Sequence, residues 1–205
     1  MSASRLITTY APERPEAVVL LLHGGAARPG RTAVHPAQLS VLRMVPLARR
    51  IARAGRGRVA VLRLLNSHRG WDMTHTPIDD VAGAIAEVRQ RYGDVPIGLV
   101  GHSLGGRAAL LAGSLDGVRV VVALNPWVYP TDRADLRGRR VLVVHGTDDR
   151  VADPERARVV AEAIGQTTEV EFVPVEGGKH AMLRRGSAFE RLATDFVLAS
   201  LTTIA

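Results

Sequence analysis

The chain has 205 residues, 46% of them apolar, and 27 basic residues against 20 acidic ones give a formal charge of +7. That length and apolar content exclude global disorder and suit one core better than two, so a single domain over residues 1–205 is expected. The chain has no cysteine, which removes disulfide scaffolds, Cys-ligated zinc, Fe–S clusters and thiol chemistry together.

Lys179 is the single lysine, and the arginines are scattered rather than massed with aromatic side chains. Such a pattern reads as solvated surface charge, and no nucleic-acid partner is expected. The apolar runs fall far below the ~18 residues a membrane span needs. The first sixteen residues hold Glu13, Glu16 and two prolines and no apolar signal-like core. No membrane insertion and a cytoplasmic location are therefore the expectation.

Short valine-rich runs alternate with segments of helical period. Arg5–Tyr10 is a weak candidate for an edge strand. Ala17–Leu22 (AVVLLL) is a continuous apolar run that ends in His23-Gly24-Gly25-Ala26. The following stretch, Gly25 to Thr32, mimics a phosphate-binding loop in outline. Arg31 stands where its lysine belongs and Pro29 removes a backbone N–H, so no nucleotide site is expected there. Leu39–Ala54 places Leu42, Val45, Leu47, Ile51 and Ala54 on one helical stripe, and Gly55 is positioned to end it. Arg58–Leu65 predicts a strand, followed by a loop that carries Trp71. Pro77–Tyr92 predicts a helix with Ile78, Val81, Ile85 and Val88 inward and Gly93 as its stop.

The segment Val95–Gly113 reads VPIGLVGHSLGGRAALLAG. A buried strand, Pro96–Val100, runs into Gly101-His102-Ser103-Leu104-Gly105, and a small apolar helix over Leu104–Gly113 follows at once. This is G-x-S-x-G in a strand–turn–helix context, which presents the Ser103 hydroxyl on a tight turn. Gly101 and Gly105 supply the near-absence of side chains that such a turn requires. Val118–Leu124 predicts the next strand, and a short loop with Trp127 leads to the strand Arg140–Val144. That strand ends in His145-Gly146-Thr147-Asp148-Asp149-Arg150-Val151. Asp153-Pro154 reads as an N-cap and first position of a helix over Pro154–Ile164. The last strand, Glu169–Val175, leads to Glu176-Gly177-Gly178-Lys179-His180-Ala181, and Ser187–Leu201 predicts a closing helix.

Strands that are continuously apolar rather than alternating are expected to be buried on both faces. With helices between them, the pattern implies an α/β fold: a three-layer α/β/α sandwich around a mostly parallel sheet. A serine hydroxyl is a weak nucleophile until a base takes its proton, and that base needs an orienting acid. Asp148 and Asp149 both qualify as the acid, and His180 sits in the loop after the last strand.

Three motifs in this order, GHSLGG, HGTDDRV and GGKH, resemble those of the α/β-hydrolase superfamily, in particular its small, capless serine esterases and dienelactone-hydrolase-like members. The resemblance runs from His23 to the last helix. It implies Ser103 as nucleophile, His180 as base and, through the pattern H-G-x-x-D-x-x-V, Asp149 as acid, with Asp148 a turn residue. It further implies that the backbone N–H groups of Gly25 and Leu104 form the oxyanion hole, and that His23 orients its loop. Ring-opening of dienelactones is not implied, because those relatives often carry cysteine where this chain has Ser103. The span from Leu124 to Arg140 is too short for a helical cap, so an open site is expected. Trp71, Trp127 and Met182 are candidates to line its substrate pocket.

The expected activity is cleavage of a small-molecule carboxylic ester or thioester through an acyl-enzyme, a carboxylesterase-like reaction of class EC 3.1, with no cofactor or metal. An acyltransferase using the same triad, and a ligand-binding protein that has kept the fold without catalysis, are the alternatives.

Overall fold

The computed structural model describes residues 4–26 and 32–202. Pro29 and Arg31 of the loop that mimics a phosphate site lie outside the described residues. Among those described, seven strands form one sheet: β1 (Arg5–Tyr10), β2 (Ala17–Leu22), β3 (Val59–Leu65), β4 (Ile97–His102), β5 (Val118–Leu124), β6 (Arg140–Gly146) and β7 (Val170–Val175). Their spatial order is β1-β3-β2-β4-β5-β6-β7. β1 runs antiparallel to β3, and every other neighbouring pair is parallel.

The apolar runs are continuous because both sheet faces are covered. Along β2, Val18, Leu20 and Leu22 belong to one core cluster, while Ala17, Val19 and Leu21 belong to the other. The first cluster is closed by α3 (Thr76–Tyr92), α4 (Leu104–Leu111) and α5 (Pro154–Gly165) through side chains such as Val88, Ala109 and Val160. The second is closed by α2 (Met44–Ala54) and α6 (Gly186–Thr202) through Leu47, Ile51, Phe189 and Val197. Each fully buried Leu, Val or Phe side chain contributes roughly 1.5–3 kcal/mol relative to exposure. This is the three-layer sandwich expected from the alternation of segments.

Two expectations need correction. The single helix foreseen over 39–54 is broken at Arg43 into α1 (Leu39–Leu42) and α2. Pro46 is the cause: it has no N–H to return to Leu42, so the helix restarts with proline in its first turn, where the missing donor is harmless. The last strand, β7, is not buried on both faces; Glu171 and Pro174 are exposed. β7 lies at the sheet edge, the one place where a strand tolerates proline.

The chain leaves β2 toward β3 on one side, then returns across β2 to β4 on the other. Such a reversal opens a crevice at the carboxyl ends of the two central strands. No helix forms among residues 125–139 between β5 and β6, so among the described residues no cap from that span covers the crevice.

Candidate active site

Ser103 sits between β4 and α4 with φ 58° and ψ −121°, a conformation that costs a residue with a side chain on the order of 1–3 kcal/mol. The turn holds because its flanks have no room for anything larger than hydrogen. A Cβ on Gly101 would stand 2.0 Å from the Gly105 carbonyl oxygen, and one on Gly105 would stand 2.3 Å from that of Leu22. The turn is tied into the sheet by Ser103 N–H donating to Leu124 O (3.0 Å), while Ser103 O accepts from the N–H groups of Arg107 and Trp127 (3.1 Å each).

His180 reaches this serine from the loop after β7. Its Nε2 is 2.9 Å from Ser103 Oγ, and its Nδ1 is 2.8 Å from Asp149 Oδ2. The acid loop and the histidine loop meet backbone to backbone, since a Cβ on Gly146 would lie 2.3 Å from Gly178 O. The contact fixes their spacing.

The two aspartates of the acid loop differ sharply. Asp148 is exposed, and its backbone N–H donates to Gly178 O. Asp149 is 7% exposed. Burial alone would raise its carboxyl pKa. Hydrogen bonds from His145 and His180, and from the N–H groups of Val151 and Ala152 (2.8 and 3.0 Å), outweigh that and hold it well below the usual carboxylate range. A buried, permanently charged acceptor on Nδ1 fixes the imidazole orientation with Nε2 facing Ser103.

Two side chains absent from the sequence expectations anchor the histidine from behind. Asn125, at the end of β5 and 0% exposed, accepts from Gly146 N–H (2.8 Å) and donates to the carbonyls of Lys179 and His180 (3.2 Å each). His102 donates from Nε2 to the same His180 carbonyl at 2.8 Å. Burial above all, with the neighbouring His180 second, pushes the His102 pKa down to about 3, so this imidazole is a neutral donor. No local motif marks either residue.

The β2–α1 loop carries Gly24 and Gly25 to the serine; a Cβ on Gly24 would meet Ser103 Cβ at 2.8 Å. His23 shapes this loop as expected: Nδ1–H donates to Gly24 O (2.6 Å), and Nε2 accepts from Asn66 N–H (3.2 Å). Burial lowers its pKa, in keeping with that neutral tautomer. Gly25 and Leu104 both line the cleft beside Ser103. Leu104 is the first residue of α4, where backbone N–H groups have no partner within the helix and favour an anion.

The cleft has a volume of about 830 Å³, within the range typical of small-molecule sites. Trp71 and Trp127 line it, as the sequence suggested. Met182 does not. It is 9% exposed and packs in the core with Val175 and Phe189, because its backbone turns at φ 52° and directs the side chain inward. Tyr129, Arg107 and Arg43 also line the cleft. Arg107 lies 4.1 Å from the Trp71 ring centre and 4.8 Å from that of Tyr129, and it donates twice to Asp132 at 2.8 and 2.7 Å. No group of potential metal ligands occurs among the described residues, and no described helix is long and apolar enough to cross a membrane.

A family model described as the alpha/beta hydrolase fold matches residues 17–141. Solved structures share the architecture. An α/β serine hydrolase homologue from Coxiella burnetii matches with a TM-score of 0.72 at 18% identity, over 94% of this chain and 90% of that one. Est1E from Butyrivibrio proteoclasticus matches at 0.69 and 15%, over 97% and 94%. A serine hydrolase without a lid from Xanthomonas campestris matches at 0.64 and 18%, over 93% and 91%. At these identities the likeness is one of fold. Among curated proteins, none matches the chain in sequence.

Proposed function

Because the chain belongs to the α/β-hydrolase fold family, we propose that it is a serine hydrolase that cleaves a carboxylic ester or thioester through an acyl-enzyme on Ser103. The observation that carries this is the unbroken hydrogen-bond line from Ser103 Oγ through His180 to Asp149, at 2.9 and 2.8 Å, opening into a cleft.

Ser103 Oγ attacks the carbonyl carbon as its proton passes to His180 Nε2. Asp149, held ionised by its hydrogen bonds, stabilises the imidazolium. The oxyanion is received by the N–H groups of Gly25 and Leu104, each donor contributing about 3 kcal/mol of transition-state stabilisation. His180 then protonates the departing alcohol or thiol, and water, activated by the same imidazole, releases the acid. The uncapped cleft gives water direct access to the acyl-enzyme, which favours hydrolysis over transfer to another acceptor. The proposed partner is a small-molecule ester or thioester and the proposed setting is the cytoplasm.

A fluorophosphonate probe tests this. The wild-type protein is expected to label at one equivalent, and Ser103→Ala not at all while keeping its fold. Labelling of the alanine variant at full stoichiometry would place the nucleophile elsewhere. Absence of labelling in folded wild-type protein would favour a ligand-binding role.

A further inference from the structure

Among the described residues, two arginines line the cleft, in opposite electrostatic states. Arg107 is neutralised by its two-pronged contact with Asp132 and is sandwiched against Trp71 and Tyr129. It serves as part of the wall. Arg43 stands at the junction of α1 and α2, the break that Pro46 imposes, and it lines the same cleft. Its Nε is buried and has no hydrogen-bond partner. Among the described residues it forms no ion pair.

Elsewhere arginines near carboxylates find them, as in Arg89 with Asp116 and Arg158 with Glu155. The one carboxylate on the described cleft lining, Asp72, is engaged by the Thr76 N–H (2.8 Å) and hydroxyl at the start of α3. Arg43 is close enough to the elbow that its charge helps keep His102 neutral, and desolvation alone lowers its own pKa. A guanidinium partly withdrawn from water and left unpaired is unfavourable until an anion meets it. Its fork of donors matches the two oxygens of a carboxylate.

We propose that Arg43 is the recognition group for a carboxylate carried by the ester substrate, so that the cleft selects anionic esters over neutral ones. The flat, apolar portion of such a substrate lies along Trp71 and Trp127. This rests on the serine-hydrolase reading of Ser103 and names the substrate class of that same site.

Two matched pairs of esters test it from both sides of the scissile bond. With the charge on the leaving group, 4-acetoxybenzoate is compared with 4-acetoxybenzamide. With the charge on the acyl group, monomethyl adipate is compared with its terminal amide. In at least one pair the wild type is expected to show kcat/KM tenfold or more in favour of the carboxylate, a preference that shrinks as salt is raised. Arg43→Gln is expected to bring the ratio to one or below, and Arg43→Lys to keep part of it. Turnover of the neutral esters with no preference for either carboxylate would overturn the proposal and leave the hydrolase reading standing.

If no ester is turned over, calorimetric binding of 4-hydroxybenzoate against 4-hydroxybenzamide reads the same discrimination without catalysis. A carboxylate preference that Arg43→Gln abolishes supports the proposal, and equal binding refutes it. Should Arg43→Gln fail to fold, Arg43→Lys decides: a carboxylate preference as large as that of the wild type refutes it.

Discussion

Replacing Asp149 with asparagine tests the geometry most directly. Asp149 Oδ1 accepts the N–H groups of Val151 and Ala152, and Oδ2 faces His180 Nδ1 at 2.8 Å. In Asp149→Asn the carbonyl oxygen keeps the two backbone bonds, which places the amide NH₂ against Nδ1. The imidazole must then present a lone pair at Nδ1 and carry its proton on Nε2, facing Ser103. That tautomer cannot accept the serine proton. The expected loss in kcat is about 10³–10⁴-fold, or about 4–5.5 kcal/mol of barrier. The fold should lose roughly 2–4 kcal/mol, since the bonds that His145 and His180 make to the charged Oδ2 are both removed. Asp148→Asn is the control: that side chain is exposed, and its change should leave kcat within about twofold. Steady-state hydrolysis of a short-chain p-nitrophenyl ester, alongside urea unfolding of each variant, measures both quantities. Equal losses from the two variants, or a larger loss at Asp148, would refute the assignment of the acid.

Other expectations follow from the groups around the triad. Burial holds the His102 pKa at about 3 when folded, below the usual 6.5 of the unfolded chain. The unfolded chain therefore binds the extra proton first, and stability falls as pH drops through that window, by up to ~1.4 kcal/mol per unit; urea unfolding between pH 7 and 4.5 should show the decline, and His102→Asn should make it shallower, His23 contributing in the same direction. Asn125→Ala removes three hydrogen bonds and should cost roughly 2–4 kcal/mol of stability, while at temperatures where it stays folded kcat falls more than KM changes, because the His180 backbone has lost an anchor. With no cap over the cleft, rates on short-chain esters should rise smoothly through the substrate's critical micelle concentration; a sharp jump there would show that a segment has to open.

The parts of the site that are local in sequence were legible. Gly101, Ser103 and Gly105 lie two positions apart, with one residue between each pair, and the strand before and helix after are written in contiguous apolar patterns, so the elbow follows from sterics. The acid loop was half legible. Asp148 and Asp149 are chemically identical neighbours, and physical reasoning on the residues alone left both open until a family pattern favoured the second. In three dimensions they separate through burial, which depends on the packing of β6 against β7 and cannot be read from two adjacent letters. Asn125 and Arg43 were missed for different reasons. Asn125 acts across fifty-four residues on Lys179, and no periodicity encodes such a contact. Arg43 falls inside the apolar stripe of 39–54, which reads as one helix unless Pro46 is allowed to break it. Met182 follows His180 closely in sequence, which suggests the cleft, but its backbone has a positive φ and its side chain packs in the core.

The division of labour among these residues explains how an uncapped cleft can still hold a strict proton-transfer geometry. The contacts that fix the distances between Ser103, His180 and Asp149 sit at strand ends: the elbow after β4, Asn125 after β5, and the Gly146–Gly178 contact after β6 and β7, while His23 after β2 holds the neighbouring oxyanion loop. Those anchors are held by backbone hydrogen bonds and by neutral imidazoles that burial keeps from taking up charge. The cleft wall is built differently, from the side chains of Trp71, Trp127, Tyr129 and Arg43, which stand on loops and a helix junction rather than at strand ends. A change in the wall can thus alter which ester enters without moving the line of hydrogen bonds. A change in the anchors acts in the opposite sense, since it displaces the imidazole whatever the substrate. Kinetic separation of the two groups, KM for the wall and kcat for the anchors, is what this geometry requires if rigid strand ends carry the chemistry and loops carry the choice of substrate.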